Sequence, residues 1–319
     1  MRKFFTKSLL LVSPFLLVAI IIPPSKIDSG LKRSKYARNF VEWNDIFESK
    51  INTDLLIQGS SRAWVHISPK SLDSAFNLNA YNLGIDGYSF RLQYYRFLLF
   101  LKYNKKPKYL IQSLDYFTEF QKNVSLYEYE QFIPFLDDKL IQEAVFYYEG
   151  FTYKDLYIPF YKYTHNMKLY FNGLKFFLLK RKQQSNGKYK GFKAQDKQWD
   201  NSFDNFKKAN PNGYLAPIDK NTLNLFDLFI RYCQQENIKL IFVNCPTYYP
   251  ATKMLINKYQ IDSIYHFYSV KYSIPYLDYS NNSLSFDTLN FYNSQHLNSA
   301  GVDKFNVKLI SDLKKIIKE

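Results

Sequence analysis

A serine and a histidine from opposite ends of the chain are the residues best suited to chemistry. The stretch Asp54-Leu55-Leu56-Ile57-Gln58-Gly59-Ser60-Ser61-Arg62 is a short apolar run that ends in a glycine and two serines. Such runs deliver side chains to the carboxyl edge of an α/β sheet, where these folds bind ligands. Gly59 permits a tight turn at that edge, and Ser61 then opens the following segment. Serine before a helix is also a favoured N-cap, so position alone leaves both roles open. Far downstream, Phe291-Tyr292-Asn293-Ser294-Gln295-His296-Leu297-Asn298 places His296 just before Asn298, a candidate N-cap for a last helix. An imidazole in that loop lies at the sheet's carboxyl edge, where a base serving Ser61 has to be. A serine hydroxyl is a weak nucleophile until a base takes its proton, and the base needs a third group to hold its tautomer. His66, His165 and His266 read as ordinary structural histidines.

The elements that must position this pair alternate in the manner of a parallel sheet. Strands are expected at 54–58, 78–82, 108–114, 238–244 and 274–278, with helices at 89–104, 220–237, 250–270 and 299–317. The pattern implies an α/β fold: three layers, doubly wound, around a mainly parallel five-stranded sheet. Between 116 and 217 it breaks into an aromatic-rich insertion that includes Phe132, Phe135, Tyr147, Tyr148, Tyr153, Tyr157, Tyr161 and Tyr170. Aromatics stack on sugar rings but more commonly fill cores. Within the insertion, Lys175 to Lys197 is dense in lysine with glycine and serine interspersed and reads as an exposed basic loop. The α/β domain is therefore expected over 53–319, interrupted by 116–217.

The chain's 319 residues and 46% hydrophobic content support a sizeable core. Its formal charge of +15 favours polyanionic surroundings, whether nucleic acid, anionic lipid or acidic polysaccharide. The N-terminus chooses among them. Arg2, Lys3 and Lys7 precede an apolar run from Ser8 to Ile22, which Pro23-Pro24 stops. With Phe4 and Phe5 the run approaches the ~20 residues that span a bilayer, and no Ala-x-Ala-like cleavage site follows it. Residues 1–24 are thus expected to be an uncleaved signal anchor, a transmembrane helix that ties the protein to the membrane. Residues 25–52 form a juxtamembrane connector, in which Phe40, Trp43 and Phe47 recur at helical spacing. Cys233 and Cys245 show no zinc or redox spacing and are expected to stay unpaired; no cofactor is implied.

Gly59-Ser60-Ser61-Arg62, taken with Asn293-Ser294-Gln295-His296-Leu297, resembles the SGNH/GDSL hydrolase superfamily. There a serine from a first block is served by a histidine from a last Asp-x-x-His block. The Gly-x-Ser-Arg wording, which brings in Arg62 as an expected binding residue, is most similar to the exported, membrane-anchored branch that includes alginate O-acetylation proteins and the teichoic-acid D-alanylation protein. The resemblance spans roughly 53–115 and 216–319. It implies an esterase or O-acyltransferase acting on acyl esters of cell-envelope polysaccharide, with Ser61 as nucleophile and His296 as base. It also implies a body on the extracytoplasmic side, a membrane-bound O-acyltransferase as partner, and no role for nucleic acid. Its oxyanion hole would use the backbone N–H of Ser61 and of Gly84, in Tyr81-Asn82-Leu83-Gly84.

Two departures stand out. Ser113-Leu114-Asp115 occupies the place of the family's Gly-x-Asn, and an ionised Asp115 cannot donate to an oxyanion. Asn293 replaces the aspartate that steadies the histidine; it can orient the ring but brings no charge, and the corresponding change in a serine protease costs roughly 10⁴ in kcat. Asp287, Asp278 or Asp86 is left as a candidate replacement acid. The alternative is a catalytically inert glycan-binding or assembly protein on the same fold.

Overall fold

Five short runs, four of them buried along nearly their whole length rather than at alternate residues, pair into one parallel sheet, the pattern expected when helices cover both faces. In a computed structural model these are β1 (Leu55–Gly59), β2 (Ala80–Asn82), β3 (Tyr109–Leu114), β4 (Lys239–Asn244) and β5 (Tyr276–Asp278). Their order is β2-β1-β3-β4-β5, with every neighbouring pair parallel. The structure describes residues 22–37, 39–122 and 124–317.

The flanking helices are α1 (Ser61–His66), α2 (Pro69–Phe76), α3 (Phe90–Tyr103), α4 (Lys220–Gln235), α5 (Lys258–Lys271) and α6 (Ser299–Leu313). Each expected strand lies within two residues of an observed one. The expected helix over 250–270 is instead divided into a short turn at Tyr249–Lys253 and α5. On one face of the sheet, Leu55, Ile57, Ile111 and Val243 pack against Phe305, Leu309 and Leu313 of α6. Each such side chain contributes about 1.5–3 kcal/mol through burial.

The described residues fall into two compact units, one built from 45–122 and 187–317, the other from 22–37, 39–44 and 124–186. The first is the α/β unit; it also takes in 116–122 and 187–217, which the sequence pattern assigned to the insertion. In the second unit, helix Pro24–Lys32 packs on helix Met167–Leu178 through Gly30 and Gly173. Phe40 and Trp43 are buried there, and both rings pack against Phe135. Lys162 and Asp28 make a buried ion pair at 2.6 Å. Among the described residues no helix is long and apolar enough to cross a membrane. The anchor expected over 1–24 lies outside the described residues up to position 21.

Strand order reverses at β1, whose neighbours are β2 and β3. The crevice beyond its carboxyl end is therefore the topological switch point where open α/β sheets bind ligands. Gly59 ends β1 with φ +149°, and a Cβ there would stand 2.8 Å from the Ser113 carbonyl and 3.0 Å from the Ala63 methyl. Only glycine lets the chain turn so close to β3 and into α1.

Candidate active site

Ser60, rather than Ser61, caps α1: its hydroxyl accepts from the Arg62 N–H at 3.4 Å. Ser61 is the first helical residue, which leaves its side chain free and its own N–H without an intrahelical acceptor. The histidine arrives on a small hairpin, β6 (Phe291–Asn293) and β7 (His296–Leu297), in which Asn293 and His296 face each other across the turn. Asn298 caps α6, accepting from the Gly301 N–H at 3.0 Å, so the hairpin is held directly against the start of that helix.

The two side chains meet. Ser61 Oγ lies 2.7 Å from His296 Nε2, within the reach a general base requires. On the far side of the ring, His296 Nδ1 lies 2.9 Å from Asn293 Oδ1. That oxygen also accepts from the backbone N–H groups of Gln295 at 3.0 Å and of His296 at 2.9 Å. The two backbone N–H donors identify it as the amide oxygen, which can only accept. Nδ1 therefore carries the ring proton, and Nε2 presents its lone pair to the serine hydroxyl. Asn293 thus performs the orienting half of a catalytic aspartate's work and supplies none of its charge. Two of the candidate replacement acids are engaged elsewhere. Asp278 takes the Asn244 amide at 3.0 Å, and Asp287 takes the Leu289 N–H at 2.9 Å.

Removal from water pulls the His296 pKa down to about 4, and the Arg62 and Lys197 cations push the same way against Asp115 and Asp200. The imidazole is therefore neutral throughout the physiological range, with a lone pair able to accept a proton. Tyr292 stacks on the imidazole with ring centres 5.3 Å apart and planes within 6°. The ammonium of Lys197 sits 5.3 Å from the Tyr292 ring centre.

His66, an ordinary histidine by its sequence context, ties α1, which carries Ser61, to β7, which carries His296. Its Nε2 accepts the Leu297 N–H at 3.0 Å, and its ring meets His296 edge-on at 5.9 Å. Complete burial, with Arg62 and His296 beside it, holds its pKa well below the usual histidine value, so it stays an acceptor.

Three expected site residues have other jobs. Gly84 does not offer its N–H, which is taken by Asn82 Oδ1 at 2.8 Å. What the position requires is the missing side chain, since a Cβ would stand 2.5 Å from the Trp64 nitrogen in α1. Asp115 is a saturated acceptor, not an oxyanion donor. One oxygen takes the Ser60 hydroxyl at 2.8 Å and the Thr118 hydroxyl at 3.1 Å; the other takes the Phe117 and Thr118 N–H groups at 2.8 and 3.3 Å. It holds the cap of α1 against the end of β3. Arg62 is 0% exposed and cannot meet a substrate. Its Nη2 donates to the carbonyls of Cys245 and Pro246, fastening α1 to the segment that follows β4. Of the two backbone donors that the resemblance implies, that leaves the Ser61 N–H.

The lysine-dense stretch is likewise not a free loop beyond residue 186. Residues 187–200 form a strap along the site. The Lys190 carbonyl accepts the Asn82 N–H at 2.9 Å, and Lys193 N–H donates to the Trp64 carbonyl at 3.3 Å. The Gln195 carbonyl accepts the Ser299 N–H at 3.0 Å, and Asp200 N–H reaches the Tyr292 carbonyl at 3.0 Å. Lys190 is tied down by Asp73 at 2.7 Å, while Lys193 and Lys197 remain exposed along the rim. No sequence signal separates a lysine-rich strap from a lysine-rich loop, because backbone bonds hold it.

The sequence matches no family model and no curated protein. Among solved structures it is similar to one from Bacteroides fragilis described as a "putative acylhydrolase", at 12% identity, covering 83% of this chain and 88% of that one, with a TM-score of 0.39.

Proposed function

We propose that this protein is a serine acyl-transfer enzyme. More particularly, we propose a membrane-anchored, extracytoplasmic SGNH-like esterase or O-acyltransferase working on acyl esters of cell-envelope polysaccharide. One observation carries the enzymatic reading: Ser61 Oγ, His296 Nε2, His296 Nδ1 and Asn293 Oδ1 form a continuous relay, with contacts of 2.7 and 2.9 Å on either side of the ring.

In the reaction this geometry supports, Oγ attacks the ester carbonyl carbon while Nε2 takes the hydroxyl proton. The imidazolium then donates that proton to the departing alcohol, leaving the acyl group on Ser61. Water or a sugar hydroxyl, deprotonated by the same nitrogen, resolves the acyl-enzyme to an acid or a new ester. The Ser61 N–H lies beside the forming oxyanion, where a preorganised donor lowers the cost of the developing charge.

The substrate class and location draw on the motif resemblance, the apolar N-terminal run and the +15 charge, which suits an acidic polymer. A membrane-bound O-acyltransferase is the partner that the same resemblance implies. A second reading, an inert glycan-binding protein, is favoured by the engaged Gly84 N–H and by the missing charge at Asn293. A fluorophosphonate probe decides between them. Labelling of the full chain that disappears in Ser61→Ala supports the enzyme, and folded wild type that takes no label rules it out.

A further inference from the structure

Helix Met167–Leu178 is apolar on both sides. Leu169, Gly173 and Phe176 are buried, with Gly173 against helix Pro24–Lys32. On the opposite face, Met167, Phe171 and Leu178 are 49%, 60% and 58% exposed. Their spacing of four and then seven residues sets them on one line along the helix. Exposed Lys168 and Lys175 edge that line. A helix on the surface of a water-soluble unit turns polar residues outward. An apolar line edged by lysines is what a helix lying in a bilayer interface presents.

A second observation fixes the occupant. The Tyr163 hydroxyl donates to Asp28 Oδ1 at 2.6 Å, within helix Pro24–Lys32, and its oxygen lies 3.3 Å from the Pro24 carbonyl. The residues directly preceding Pro24 in the sequence are the apolar run from Ser8 to Ile22. The exposed line is thus carried on the partner of the helix that directly follows this run in the sequence, and its charges complement anionic headgroups.

We propose that the outer face of helix Met167–Leu178 is a bilayer-docking surface. Met167, Phe171 and Leu178 enter the headgroup boundary, and Lys168 and Lys175 take lipid phosphates. The test uses the full chain reconstituted in phosphatidylcholine vesicles containing phosphatidylglycerol, with a polarity-sensitive fluorophore on Phe171→Cys. Both native cysteines are buried, so the new thiol is the accessible one among the described residues. Docking shifts the emission to the blue and makes it quenchable by lipids spin-labelled on the acyl chain. Adding Lys168→Ala and Lys175→Ala then lowers the docked-to-undocked ratio about 30-fold in anionic vesicles, roughly fivefold per lysine, and changes little in pure phosphatidylcholine. Water-like, unquenched emission in both vesicle types overturns the proposal and assigns the face to a protein neighbour. The outcome does not depend on Ser61, whose reactivity is read by its own probe.

Discussion

Asn293→Asp tests the site most directly, because it adds the one thing the relay lacks and disturbs little else. Asn293 Oδ1 accepts three hydrogen bonds, and a carboxylate oxygen accepts the same three. What changes is a negative charge next to the imidazole. Two unit charges about 4 Å apart, at an effective dielectric constant near 20, interact by about 4 kcal/mol. The imidazolium formed as Ser61 gives up its proton gains that stabilisation, so the chemical step accelerates by up to about 10³. The same interaction raises the resting histidine from about 4 to about 7, at 1.36 kcal/mol per pH unit. Two readouts therefore move together when the fluorophosphonate labelling rate is followed from pH 4 to 9. The plateau above pH 8 rises steeply, and the acid limb moves toward neutrality. Near pH 7 part of the gain is lost, because about half of the variant's histidine is then protonated. An equally folded variant whose rate and acid limb both match wild type would show that His296 moves no proton for Ser61.

Three further outcomes follow from the same geometry. In the wild type the base works only when neutral, so labelling should hold level from pH 8 to about 5 and fall to half near 4; an acid limb near 6.5 would contradict a desolvated base. His66→Leu leaves the Leu297 N–H buried without its acceptor, which should cost about 1–3 kcal/mol in urea unfolding. It should also slow labelling, with His66→Gln recovering part of both losses; equal stability for Leu and wild type would sink the tie between α1 and β7. Gly84→Ala keeps the N–H but puts a methyl 2.5 Å from the Trp64 nitrogen. It should destabilise the fold by about 1–3 kcal/mol and slow labelling, whereas a role confined to the N–H would leave both unchanged.

Much of this arrangement was legible because local rules and the fold agree. Uninterrupted apolar runs such as Leu55 to Ile57 mark strands covered on both faces, and Asn298 marks the start of the last helix. What escaped has a physical cause in each case. Helix α1, six residues long, is too short for its period to show in Ser61-Arg62-Ala63-Trp64-Val65-His66. Arg62 carries a charge and was placed near substrate, yet carbonyls that follow β4, far away in sequence, bury it. The Gly84 N–H was assigned to an oxyanion, but the Asn82 side chain two residues earlier turns back and takes it. Composition likewise could not divide 175–197, since only backbone bonds distinguish the strap beyond 186 from a loop.

The placement of carboxylates at this site bears on what the chemistry can achieve. Asp115 lies under the cap of α1, where four donors saturate it, and the position behind His296 holds a neutral amide. The base is consequently oriented but weak, and it is available at every physiological pH. On the acyl-transfer reading, that weakness falls on both halves of the reaction. Water resolving an acyl-Ser61 must give its proton to the same poorly basic nitrogen, so hydrolysis slows along with acylation. A bound sugar hydroxyl escapes part of this handicap, because holding it beside the carbonyl replaces lost basicity with proximity. On the strap beside the hairpin, Lys193 and Lys197 are exposed, and the Lys197 ammonium lies over the Tyr292 ring. On that reading water and a held hydroxyl both give their proton to the same nitrogen, and the held hydroxyl competes through proximity alone.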